Sequence, residues 1–165
     1  MDKLSAFSSE AFNFKGLIIQ NEFPSANHVH DLILNRLENV DASLSEAAFY
    51  HFKTPGKMLR AKMAIQSASL AEIDTSISLL WAAAVEVLHN ASLIHDDICD
   101  GDKQRRGRSS IWVKFGQDTA LTLGDWLIAL SFELASEAAE MSNTPRLVGI
   151  LARHMATTTA GQAME

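Results

Sequence analysis

Only one cysteine, three prolines and eight glycines occur among the 165 residues. A single thiol, Cys99, excludes an intrachain disulfide framework and fits a reducing compartment, so a cytoplasmic location is expected. The scarcity of Pro and Gly, beside 47% apolar and 21% charged residues, excludes collagen-like, low-complexity and disordered chains. Positive charge is in short supply: 14 Lys and Arg stand against 20 Asp and Glu, a net charge of -6. Binding of nucleic acid by bulk electrostatics is therefore not expected, and an anionic ligand must find a local basic patch. Met1 to Gln20 has no basic end followed by a long apolar core and carries Glu10 and Lys15, so no signal peptide is expected. Bilayer-length apolar runs are missing too. The most apolar stretch, Leu79 to Ile94, contains Glu86 and His89 and reads as a buried core helix, not a transmembrane segment.

What is present is helical period. Between Pro55 and Pro145 no proline interrupts the chain, and apolar residues recur at three- and four-residue spacing. The expected fold is all-α, one domain with one sizeable core and no fixed-period repeat. Helices are expected from about Ser25 to Glu38, from Ser43 or Ser45 to before Pro55, and from near Lys57 to about Glu72. Ser25 is placed to cap the first. A long helix from about Thr75 to Asp97 should cross the whole domain. Gly101 to Ser110 reads as a loop, followed by helices near Asp118 to Glu140 and from Thr144 to Glu165.

The chemistry concentrates where the long helix ends. Asp96 and Asp100 fall on one helical face, about one turn apart. Two carboxylates some 6 Å apart repel by roughly 3 kcal/mol at an effective dielectric of 20, and a helix C-terminus disfavours negative charge further. A solvated acidic helix end is one reading of such a pair; a divalent-cation site is the other. His89 lies about 20° from Asp96 on the helical wheel, two turns away, and by itself would also suit a core imidazole. Just downstream, Lys103, Arg105, Arg106 and Arg108 place four cations within six positions. They suit intrachain salt bridges, and equally a magnesium diphosphate site, in which Mg²⁺ takes one or two carboxylates plus phosphate oxygens while arginines clamp phosphate. A second basic point, Gly56-Lys57-Met58-Leu59-Arg60, opens the third helix, whose N-terminus adds backbone donors.

These residues form a pattern. Glu86, His89, the run Ser92 to Asp100 containing Asp96-Asp97-Ile98-Cys99-Asp100, then Arg105-Arg106-Gly107, Phe115-Gly116 and Gly124-Asp125 together resemble the trans-isoprenyl diphosphate synthases, or polyprenyl synthetases. Gly56-Lys57 with Arg60, and Gly161-Gln162, match further motifs in the right order. The resemblance implies the N-terminal half of an isoprenoid-synthase-type helical bundle. It implies magnesium-dependent prenyl chain elongation, condensing an allylic diphosphate with isopentenyl diphosphate. Asp96 and Asp100 would ligate Mg²⁺ on the allylic diphosphate, supported by Asp97 and joined by Arg105. Lys57, Arg60, His89 and Arg106 would bind the isopentenyl diphosphate. Gln162 would face the allylic tail or its cation, and Asp125 matches a family position to which we attach no role.

The residues five and four before Asp96 are Ala91 and Ser92, with Leu88 a turn further down. Bulky aromatics at the first two positions act as a floor in the resembling family, so these small residues imply products longer than fifteen carbons. Met58 stands in place of a frequent arginine, Ala61 and Ser109 in place of frequent prolines, and Thr54-Pro55-Gly56 in place of a more glycine-rich turn. The family is roughly twice this length, and the second aspartate-rich motif is absent. Three readings follow: an oligomeric split enzyme whose second polypeptide supplies the C-terminal half, a piece of a conventional synthase, and a regulatory or scaffolding subunit of a synthase heteromer.

Overall fold

A computed structural model of the chain describes residues 24–162. Seven helices are found among them: α1 (Ala26–Leu37), α2 (Ala42–Phe52), α3 (Leu59–Leu70), α4 (Thr75–Cys99), α5 (Ile111–Phe115), α6 (Gln117–Met141) and α7 (Arg146–Gln162). The expected all-α architecture stands, and the expected continuation of the last helix to Glu165 lies outside the described residues. Helix starts follow side-chain chemistry. Ser25 occupies the cap position of α1, where its backbone N–H donates to His28 Nδ1 at 3.1 Å. α2 is opened by the Asp41 carboxylate, which accepts from the Ser43 N–H at 2.9 Å, and not by Ser43 or Ser45. The Ser43 side chain first, and then this backbone bond, hold the Asp41 carboxyl below its usual pKa. α4 begins in the same manner, Asp74 accepting from Ser76 N–H at 2.8 Å. α3 starts two residues later than Lys57, because Met58 is left-handed with φ +48°.

The core is built on α4 and α6, two 25-residue helices packed along each other. Leu79, Leu80, Ala83, Val87, Ala91 and Ile94 on α4 meet a second buried row on α6, Leu123, Leu127, Leu130 and Leu134. α1 and α3 lie on α4, and α2 and α5 are joined to this pair. α4 is long and apolar enough to cross a membrane by length and composition, but most of that stretch is buried inside the domain. It is the core helix that the interrupted apolar run predicted. α7 rests on α6 and buries only Leu151.

Two elements depart from expectation. The segment read as a loop contains a short antiparallel ladder, β1 (Gln104–Arg105) with β2 (Arg108–Ser109), paired Gln104 with Ser109 and Arg105 with Arg108. Its two-residue turn is Arg106-Gly107, with φ +53° and +75°, the positive-φ pair that a tight hairpin requires. The other is α5, a short helix for which no period was visible. Gly116, at φ +92°, makes the corner between α5 and α6.

Candidate active site

α4 presents one half-exposed stripe to the open side of the domain. Trp81, Val85, Leu88, His89, Ser92 and Asp96 are all only partly buried, and they lie within about 80° of one another's mean direction on the helical wheel. Asp100 follows one turn after Asp96 as the C-cap, and its N–H donates to the Asp96 carbonyl at 2.8 Å. Asp100 is exposed. Burial, and then the negative charge of Asp100, push the Asp96 carboxyl above its usual pKa. Asp97 faces the other way. It is 2% exposed, and its Oδ1 accepts from both Arg105 Nε, at 2.8 Å, and Arg105 Nη2. Asp102 adds a second carboxylate 3.5 Å from Arg105 Nη2. Asp97 is thus the anchor of Arg105, which keeps the guanidinium beside the open pair.

The hairpin carries the other arginines into place. Arg106 Nη1 donates to the Thr54 carbonyl at 2.8 Å and Nη2 to Asn90 Oδ1 at 3.2 Å. Burial moves Arg106 below its ordinary pKa. Gly56 lies directly beneath: a Cβ there would come within 2.9 Å of Arg106 Nη2, so a larger residue before Lys57 would make the guanidinium shift. Tyr50 of α2 holds the opposite strand: its hydroxyl donates to the Ser109 carbonyl at 3.0 Å, while Arg108 lies 4.2 Å over its ring and donates to its carbonyl.

His89 sits among these cations. Burial first, then Arg60, Arg106 and Arg105, lower its pKa to about 4. At neutral pH it is an uncharged imidazole able to donate one hydrogen bond. Lys57 and Arg60 are exposed at the start of α3. The structure therefore brings Arg60, His89, Arg105 and Arg106 into one electrostatic neighbourhood, with Asp96 within the field of Arg105. Gln162 ends α7, half-buried, and among the described residues no hydrogen bond joins it to either cluster.

The two small residues below Asp96 diverge. Ser92 remains on the open stripe, its hydroxyl donating to the His89 carbonyl at 2.8 Å. Ala91 lies about 140° round from Asp96 and is fully buried in the core. It is therefore not on the stripe where a floor residue would stand. Below Arg60, a cavity of about 590 Å³ opens between α3, α4 and the start of α7, lined mainly by Met63, Ala64, Ile77, Trp81, Val85 and Leu147.

Several participants carried no recognisable signal. Asn90 links three groups: its Oδ1 accepts from His51 Nε2 at 2.9 Å and from Arg106, and its Nδ2 donates to the Glu86 carbonyl at 2.7 Å. A lone amide inside the most apolar helix was the available clue, since buried amides need partners. Thr54 and Tyr50 offered none. Gly124-Asp125 gains a physical account: a Cβ on Gly124 would fall 2.1 Å from His95 Nε2, so the imidazole lies across α6 where the side chain is missing. His95 Nε2 there donates to the Leu121 carbonyl at 3.3 Å and is 3.7 Å from Asp125 Oδ1.

Among the described residues no group of three or more His, Cys, Asp and Glu is arranged to hold an ion, so a closed zinc-like cage is not built. Two carboxylates one turn apart, Asp96 raised by burial and then by the charge of Asp100, do fit Mg²⁺, which retains waters and shares its shell with phosphate oxygens.

Known proteins place this geometry. Residues 41–165 match the family Polyprenyl synthetase. A geranylgeranyl diphosphate synthase of Saccharolobus solfataricus is 41% identical over 112 residues, which is 68% of this chain and 34% of that protein. The structure of a geranylgeranyl pyrophosphate synthetase from Geoglobus acetivorans superposes with a TM-score of 0.76 at 34% identity, covering 84% of this chain and 46% of its own. A polyprenyl synthase from Caulobacter crescentus, complexed with calcium and isoprenyl diphosphate, gives 0.74 at 28% identity, covering 87% and 46%. The chain spans about a third to a half of the length of the curated relatives it matches. Because the matched residues include the paired carboxylates of α4, the arginine hairpin and the α4–α6 core, the chain belongs to the polyprenyl synthetase family.

Proposed function

We propose that this chain supplies one half of a magnesium-dependent prenyl elongation site, which condenses an allylic diphosphate with isopentenyl diphosphate. The observation that carries the reading is the contrast at the end of α4. Asp96 is raised by burial and then by the negative charge of Asp100, while Arg60, Arg106 and Arg105 act on a neutral His89 two turns before Asp96. Its relatives' names, geranylgeranyl and octaprenyl diphosphate synthases, agree in class.

Asp96 and Asp100 would hold Mg²⁺, whose charge would neutralise the departing diphosphate. Arg105, anchored by Asp97, would meet the same diphosphate. Lys57, Arg60 and Arg106 would bind the second, with His89 as a neutral donor. The arginines and α4 orient the two substrates, so that the isopentenyl double bond attacks the allylic carbon as its bond to oxygen breaks. The new cation then loses a proton. The allylic tail would run from Asp96 along Ser92, Leu88 and Val85 toward the apolar cavity, without a large side chain at Ser92 to stop it. Products longer than fifteen carbons follow. Gln162 would face the tail once the bundle is complete.

The share of its relatives that the chain spans points to a complementary C-terminal half, bearing the remaining metal ligands and the rest of the water-excluding wall. We place that half in an assembled enzyme working in the cytoplasm, on a second polypeptide of an oligomer or on a continuation of the same chain. The test is radiolabelled isopentenyl diphosphate incorporation into geranyl or farnesyl diphosphate with Mg²⁺, for this chain alone and after mixing with the C-terminal half of a relative. Elongation only in the mixture supports the reading. Full turnover by this chain as a proven monomer, or no gain on mixing with a half that is active beside its own N-terminal partner, overturns it.

A further inference from the structure

Glu86 is a buried carboxylate, 4% exposed, on the apolar part of α4, and neither the metal nor the phosphate chemistry above uses it. Its Oε2 accepts a hydrogen bond from the Ala61 N–H at 3.1 Å. Ala61 is the third residue of α3, so this N–H is one of the donors that every helix start leaves without an intrahelical acceptor. A side chain at the cap position normally takes up such a donor. Here that position is Met58, left-handed, with no capping hydrogen bond from its side chain. The acceptor comes instead from 25 residues away, on another helix. The bond ties the first turn of α3, which bears Arg60 and follows Lys57 by two residues, to the face of α4 one turn from His89 and Asn90.

We infer that Glu86 is a positioning residue: by accepting from Ala61 it fastens the α3 start to α4 and so holds Lys57 and Arg60 opposite Arg106. This rests on the reading of those cations as a diphosphate site. Charge and reach make opposite forecasts here. As a mere background charge, Glu86 would repel a diphosphate, and removing its charge would tighten anion binding. As a tether, it would be needed for its reach and for an acceptor oxygen, not for its charge.

Two conservative variants separate these accounts. Glu86→Gln keeps the reach and an acceptor oxygen and loses the charge. Glu86→Asp keeps the charge and falls one methylene short of Ala61. The probe is inorganic pyrophosphate in magnesium-free buffer, titrated calorimetrically into the intact protein, with Lys57→Ala and Arg60→Ala as controls. Mn²⁺ titration of each variant serves as a second readout at Asp96 and Asp100. We expect Glu86→Asp to weaken pyrophosphate binding about tenfold, comparable to losing one cap, with Mn²⁺ affinity unchanged. Glu86→Gln should bind within twofold of the parent or more tightly. The inference is overturned if Glu86→Asp binds like the parent, if Glu86→Gln weakens as much as Glu86→Asp, or if Mn²⁺ affinity falls in parallel. Lys57→Ala and Arg60→Ala both binding pyrophosphate as the parent does would instead remove the diphosphate reading, and this inference with it.

Discussion

The two charged regions at the end of α4 are built on opposite plans. On the basic side the cations are supported by the protein. Arg105 is anchored by Asp97, Arg106 by Thr54 and Asn90, and Arg108 by Tyr50. On the acidic side Asp96 and Asp100 share a helical face, and burial, then the charge of Asp100, makes the ionised form of Asp96 costlier. A region whose geometry is set in advance suits a ligand that arrives as an anion and must only be oriented. A region left in electrostatic conflict suits an incoming cation, whose binding relieves the conflict. The domain thus gives Arg105, Arg106 and Arg108 protein partners, while Asp96 and Asp100 are the pair proposed to take an ion.

The largest effect should come from breaking the acidic side. Asp96→Ala and Asp100→Ala should each lower kcat of the assembled enzyme by about 10²-fold or more, since they act on charge that develops in the transition state. Steady-state assays at saturating Mg²⁺ check this, and near-normal kcat would remove the metal assignment.

Acid should break the basic side next. His51 is buried, and burial, then the nearby arginines, bring its pKa down to about 4; His89 is lowered to about 4 as well. Both are held neutral in the folded state, so the unfolded chain binds more protons between about pH 6.5 and 4. Their neutral-form stability is complete above pH 6.5 and is lost as pH falls toward 4. For the almost fully buried His51 the loss is on the order of 2–3 kcal/mol. Thermal melts across that range should fall, and a flat profile would show that neither imidazole is held this way.

A smaller, selective effect is expected from the exposed cations. Lys57→Ala and Arg60→Ala should raise KM for isopentenyl diphosphate roughly tenfold and leave kcat nearly unchanged, because the proposed site has them hold a diphosphate that does not depart. Equal losses in kcat and kcat/KM would place them instead at the reacting centre.

The finest test sharpens the comparison along the stripe below Asp96. Ser92→Phe should shift the products to shorter chains with little change in rate, read by product chromatography. Ala91→Phe, at a fully buried position, should instead destabilise the fold by about 1–3 kcal/mol through overpacking, read by denaturant unfolding. An unchanged product distribution for Ser92→Phe would move the stop elsewhere.

Much of this was legible in the sequence. Apolar spacing announced the long central helix to within two residues at its end, and the one-turn separation of Asp96 and Asp100 put them on a common face without further information. The 140° offset of Ala91 could also have been read from the same wheel, and pairing it with Ser92 overlooked that geometry. Hidden were the hairpin at Gln104–Ser109, the short α5 and the cap of α3. The hairpin and the cap depend on partners far along the chain: Ser109 needs Tyr50, Arg106 needs Thr54 and Asn90, and Ala61 needs Glu86.

By itself, the sequence determined which residues carry charge, which faces of each helix are apolar, and where the acidic pair falls, because those depend only on composition and on the helical repeat. Only the tertiary structure decided that Asp97 turns inward to Arg105 while Asp96 stays open, and that His89 is neutral among arginines. It also decided that Gly56 and Gly124 leave room for Arg106 and His95. Burial and close approach are properties of two segments meeting, and no single segment's sequence contains the other's position.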